Sequence, residues 1–194
     1  MKPLTTMFCI ILLFSFVAAC TSAPAAAPVN DIRGTEAASS SQAVAYTNET
    51  LINLPLVNAR TGETFSLADF AGKVVYVEPM ATWCTNCRDQ LGRVRDAYQQ
   101  LDPSQYVFVG ISVETNITPA DLATYIDNQN FPWIFAVASR DMLVALNDQY
   151  GSIVLNPPST PHFIVNPDGT LSQLYTGVHE ASDIMTLLQQ IAGA

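Results

Sequence analysis

The chain has 194 residues, 49% of them hydrophobic and 13% charged, and that length favours one domain. Lys and Arg total 8 against 17 Asp and Glu, a formal net charge of −9. With no cluster of Lys or Arg to displace counterions from a phosphate backbone, the composition argues against nucleic acid as a partner.

Lys2 supplies a short positive start, and Met7 to Ala19 is apolar except for Ser15. As a helix this run spans about 20 Å, short of a hydrocarbon core of about 30 Å. It reads as the apolar region of a signal peptide, residues 1–19. Val17-Ala18-Ala19-Cys20 resembles the lipobox of bacterial lipoproteins, which implies cleavage before Cys20 and lipidation of its sulfur. The alternative is plain secretion with cleavage near Ala23 or Ala25. From residue 20 to residue 50 the chain is rich in Ala, Ser and Pro, and such a segment buries too little apolar surface to offset its ordering entropy. It is expected to be a flexible tether that holds a folded domain, residues 51–194, off a membrane.

Of the four cysteines, only Cys84 and Cys87 fall in that domain. A disulfide across three positions closes a trivial loop and adds little stability, so the pair is expected to do chemistry. Structural zinc is disfavoured, because it needs four ligands and the domain adds only His162 and His179.

Leu54–Asn58 and Glu63–Ser66 flank Arg60-Thr61-Gly62 and predict an N-terminal β-hairpin. Lys73–Glu78 predicts a buried strand stopped by Pro79. Helical spacing follows from Cys84 to Leu101, then a second buried strand from Tyr106 to Val113. Thr118 and Pro119 open a helix to about Gln129. A short strand over Phe135–Ala138 and a helix over Asp141–Tyr150 come next. His162–Val165 and Leu171–Tyr175 flank the turn Pro167-Asp168-Gly169, and Ser182 is expected to cap a last helix to about Ala192. The order predicts an α/β domain: a mixed central sheet with helices on both faces. A Cys-x-x-Cys at a strand-to-helix junction within a βαβ unit is a redox signature.

Ala81-Thr82-Trp83-Cys84-Thr85-Asn86-Cys87-Arg88 resembles the active site of the thioredoxin superfamily, most of all its membrane-anchored TlpA-type thiol–disulfide oxidoreductases. Leu67–Val75 resembles the approach to the first central strand in that group, and Ser159-Thr160-Pro161 sits where the family carries its cis-proline loop. The chain departs from the pattern at Glu78-Pro79-Met80, at Thr85-Asn86, at Gly92, and in a longer connection over Ser152–Ser159.

The resemblance implies a thioredoxin-like fold with a Cys84–Cys87 disulfide. Cys84 would be the nucleophile, its thiolate favoured at a helix N-terminus, and Cys87 the shielded resolving thiol. Glu78 would move a proton to or from Cys87, with Gly110 standing about where thioredoxin has a basic partner. The alternative is a strand-end carboxylate facing solvent. Pro161 would be cis, exposing the Thr160 backbone to an extended substrate, and Trp83 would cover the site.

The resulting expectation is an extracytoplasmic, lipid-anchored bacterial reductant. It would act on client proteins in the manner of cytochrome c maturation and be recharged by a membrane electron carrier, with no organic cofactor and no metal. Two rivals remain. One is a Cu(I)-binding module using the cysteine pair with His162. The other is a redoxin-type peroxidase, although Thr82 precedes Cys84 by two positions where such enzymes have Thr-x-x-Cys.

Overall fold

The computed structural model describes residues 48–193; the expected signal peptide, Cys20 and the tether up to residue 47 lie outside them. Helix α1 spans Asn48–Asn53 and buries Leu51 and Ile52. Six residues are too few to show a helical period, so tertiary burial rather than pattern makes this turn.

The hairpin is present as β1 (Leu56–Val57) and β2 (Thr64–Phe65), paired Leu56 to Phe65. Gly62 takes the left-handed conformation that closes the turn, at φ 75°. Arg60 pins the hairpin to the body, donating to the carbonyls of Phe131 and Trp133 and pairing with Asp127 at 2.7 Å.

The main sheet comprises β3 (Val74–Met80), β4 (Tyr106–Ser112), β5 (Ile134–Val137) and β6 (Phe163–Val165), in the order β5-β4-β3-β6. β3, β4 and β5 run parallel and β6 runs antiparallel to β3. Helices α2 (Thr85–Tyr98), α3 (Pro119–Asn128) and α5 (Ala181–Ala192) pack with Val74, Tyr76 and Met80. Helix α4 (Arg140–Tyr150) joins α1 with Val75 and Val77 on the other face. Alternation along β3 places Glu78 with Tyr76, on the α2 side.

Three expectations change. Pro79 does not stop β3, which continues through Met80 with every residue buried. The Met80 carbonyl accepts from Val113 beyond β4, so alternation turns the Pro79 nitrogen to the other side. There β6 has already ended, its last partner being Val77, and no ladder bond needs that donor. Leu171–Tyr175 is not a regular strand: only Val165–Leu171 and His162–Tyr175 form bridges. The Ser172 hydroxyl takes the Ile164 N–H at 2.9 Å and so replaces the backbone acceptor. Finally, the cap residue of α5 is Glu180 rather than Ser182, and its carboxylate lies 3.2 Å from Arg93 instead of closing the helix end.

Candidate active site

The Cys-x-x-Cys pair sits where β3 hands the chain to α2. Cys84 is the N-cap of α2, and its sulfur accepts the Cys87 N–H at 3.1 Å, in the place a serine or aspartate oxygen commonly takes. Cys84 and Cys87 are joined as a disulfide with Cα atoms 5.3 Å apart. At that position unpaired N–H groups and the positive end of the helix dipole favour a Cys84 thiolate once the bond is reduced. Cys87 is fully buried, and the Pro157 carbonyl lies 3.1 Å from its sulfur. That carbonyl is placed to accept an S–H from Cys87 once the bond is reduced.

Trp83 stands 63% exposed beside the pair. Glu114, which carried no sequence signal, clamps the approach to Cys84: its carboxylate accepts the Thr82 N–H at 2.7 Å and the Thr82 hydroxyl at 3.2 Å. Thr82 is thereby turned to Glu114 and committed to holding the loop.

The 156–161 segment differs from expectation at its centre. Among the described residues there is no cis peptide bond, so Pro161 is trans. The chain reverses instead at Thr160, which is left-handed (φ 45°, ψ 57°) after a 3₁₀ turn over Pro157–Ser159. That conformation is uncommon for a β-branched residue and is held by the Thr160 N–H donating to the Pro157 carbonyl at 2.8 Å. The Thr160 backbone is not laid open: the residue is buried, and its carbonyl accepts from His162 Nδ1 at 3.1 Å. The carbonyls turned toward the cysteines are those of Pro157 and Pro158, the latter accepting from Asn86 at 2.9 Å.

Glu78 lies inside the protein rather than at a solvent-facing strand end, only 1% exposed. In register it faces Gly110, so β4 offers it no side chain. Its Oε2 accepts from the Tyr76 hydroxyl at 3.2 Å, while Oε1 has no partner among the described residues. Burial drives its carboxyl well above the ordinary carboxylate range, an effect the Tyr76 hydrogen bond only partly offsets. Gln90 of α2 donates to the Tyr76 hydroxyl at 3.3 Å and accepts the His179 backbone N–H at 2.7 Å.

His162 is buried between the Tyr76 and Tyr175 rings, stacked at 5.2 and 5.5 Å, with the His179 ring edge-on at 5.0 Å. Burial lowers its pKa to about 4, so it is neutral, with its proton on the Nδ1 that meets the Thr160 carbonyl. Among the described residues no group of three or more His, Cys, Asp or Glu is arranged to hold a metal ion.

The model of the AhpC/TSA family matches residues 48–174, which includes the disulfide, Glu78 and the 156–161 segment. The chain belongs to the AhpC/TSA family. No curated protein matches it. Solved structures show the same fold. A thioredoxin-family thiol:disulfide interchange protein from Chlorobium tepidum is 22% identical, with a TM-score of 0.60 over 72% of this chain and 93% of the other. A thiol-disulfide isomerase from Corynebacterium glutamicum is 20% identical (TM-score 0.56, 73% and 98% covered). A secreted disulfide oxidoreductase of Mycobacterium tuberculosis is 15% identical (TM-score 0.56, 74% and 99% covered). This family member therefore has a thioredoxin-like fold, the fold of thiol–disulfide oxidoreductases, with its disulfide at the first turn of α2.

Proposed function

We propose that this chain is a thiol–disulfide oxidoreductase that reduces disulfides in client proteins outside the cytoplasm, held to the bacterial membrane by lipid on Cys20. The observation that carries the reading is the asymmetry of the pair: Cys84 caps α2 and keeps a small exposure of 3%, whereas Cys87 has none and lies against the Pro157 carbonyl. In the reaction, the Cys84 thiolate attacks one sulfur of a client disulfide and the other sulfur leaves as a thiolate. Cys87 then loses its proton to Glu78 and attacks Cys84. The mixed disulfide breaks, the client departs with both sulfurs reduced, and Cys84–Cys87 is left oxidised. A membrane electron carrier returns the two electrons.

The exposed Trp83 and Asn86 border the pair and offer a surface to a client. Attachment rests on the lipobox-like stretch ending at Cys20; among the described residues no helix is long and apolar enough to cross a membrane. The reductant direction rests on the TlpA-type resemblance, and it requires a reduction potential on the order of −200 mV or lower.

The deciding experiment is reduction of insulin disulfides by the pre-reduced protein with and without a copper chelator. Turnover unaffected by the chelator is expected. Stoichiometric Cu(I) binding that is lost in His162→Ala, without disulfide reduction, overturns the proposal in favour of a copper module. Release of the protein from membranes in Cys20→Ser tests the anchor.

A further inference from the structure

The hydrogen bonds beneath the disulfide run in one direction only, and a backbone group sets that direction. The His179 main-chain N–H can only donate, and it donates to Gln90 Oε1 at 2.7 Å. The amide of Gln90 is thereby oriented, and its Nε2 donor faces the Tyr76 hydroxyl at 3.3 Å. With that oxygen accepting from Gln90, the single hydroxyl hydrogen of Tyr76 goes to Glu78 Oε2, 3.2 Å away. Glu78 Oε1 is the carboxyl oxygen with no partner among the described residues.

We propose that Gln90 and Tyr76 are positioning residues, a one-way hydrogen-bond chain that makes Glu78 Oε2 a permanent acceptor and confines the exchangeable proton to Oε1. The inference rests on the reading that Glu78 accepts the proton of Cys87. A carboxyl can carry its proton on either oxygen, and the chain leaves only Oε1 open to it. Each bond of the chain also polarises the next, strengthening the Tyr76 donor when Glu78 is ionised.

The titratable groups around Glu78 come from several elements. Tyr76 shares its strand and Cys87 lies on α2 over the same face. Tyr125 on α3 feels the charge of Glu78, and also that of Arg88 and Glu114. His162 and His179 pack on Tyr76 and on each other. β4 contributes none, since Gly110 stands opposite. Among these the Tyr76 hydroxyl is the one that hydrogen-bonds to Glu78.

The test uses the full chain carrying a chromogenic aromatic thiol as a mixed disulfide on Cys84. Release of that thiol across pH reports attack by Cys87, normalised to the rate at which Cys84 first takes up the probe. In parallel, carbon NMR of labelled Glu carboxyls follows the titration of Glu78 directly. Tyr76→Phe keeps the ring and removes the donor. It is expected to move the release inflection and the Glu78 titration up together by about one pH unit, a roughly tenfold loss of rate below the inflection. Gln90→Glu keeps the acceptor for His179 but draws the Tyr76 hydrogen to itself, and it shifts both readouts in the same direction. Gln90→Met, which leaves Tyr76 free to donate to Glu78, shifts them less than Tyr76→Phe. An unchanged Glu78 titration in Tyr76→Phe overturns the chain, whatever Glu78 does in the reaction. A native release profile in Glu78→Gln overturns the relay reading alone, and the carboxyl titration still decides the chain.

Discussion

Glu78 of β3 and Gly110 of β4 stand opposite each other in the parallel ladder, and Phe135 of β5 stands opposite Gly110 in turn. The Phe135 ring fills the space that a Cβ at position 110 would need. Across the sheet the row therefore runs from a carboxyl, past a glycine, to an aromatic ring. A basic side chain cannot reach Glu78 from β4 while that ring is in place, so nothing on that strand offsets the burial that pushes its carboxyl up.

Gly110→Ala should be costly out of proportion to one methyl group. The ring it meets is packed among Phe131 and Trp133 at centroid distances of 6.0 and 5.6 Å and has little room to yield. A loss of about 1–3 kcal/mol or more is expected from urea unfolding. A native midpoint would show that the row has slack.

Glu78→Gln should stabilise the protein in a pH-dependent way. The folded carboxyl titrates well above 4.5 because it is buried, so the folded state retains a proton that the unfolded chain gives up. Glu78 therefore costs no stability below the unfolded value, and the cost grows as pH rises toward the folded one. Thermal unfolding of Glu78→Gln should match the native protein in acid and exceed it at neutral and alkaline pH. A constant offset at all pH values contradicts the assignment.

His162 acts with the opposite sign. Its folded pKa is lowered from 6.5 to about 4 by burial, so below 6.5 the unfolded chain gains a proton that the folded state refuses. Stability contributed by the neutral ring is present above 6.5 and falls by on the order of 3 kcal/mol as pH drops to about 4. His162→Phe keeps an aromatic ring between Tyr76 and Tyr175 and should flatten this acid limb in urea titrations. If the limb keeps its slope, other groups carry it.

Cys87→Ser should accumulate disulfide-linked complexes with clients, separable on non-reducing gels, because the cysteine left behind caps the helix and no resolving sulfur remains. Cys84→Ser should form few, its remaining thiol being fully buried. The reverse pattern would exchange the two roles.

The fold was legible where the signal is local. The Arg60-Thr61-Gly62 turn, the Thr118–Pro119 helix start and the runs that became β3 and β4 appear close to where their residues place them, because each is specified by a few neighbouring side chains. The readings that changed concern pairing across the chain. Pro79 continues a strand because β6 stops short of it, and Leu171–Tyr175 loses its ladder to one serine hydroxyl. Thr160 makes by a left-handed backbone the reversal that the family pattern assigns to a cis-proline.

At the site, the sequence by itself placed two cysteines at the N-terminus of a helix, and the family resemblance singled out the carboxylate six positions before Cys84. Only the tertiary structure decided the state of those groups. The Glu78 carboxyl is pushed well above the ordinary carboxylate range because its strand is covered on both faces. Its hydrogen-bond chain joins Tyr76 to Gln90 across 14 positions and Gln90 to His179 across 89. The acceptor for Cys87 comes from Pro157, 70 residues away. Desolvation and hydrogen-bond direction depend on what surrounds a group in space, and residues that distant meet only once the sheet and its helices have closed around it.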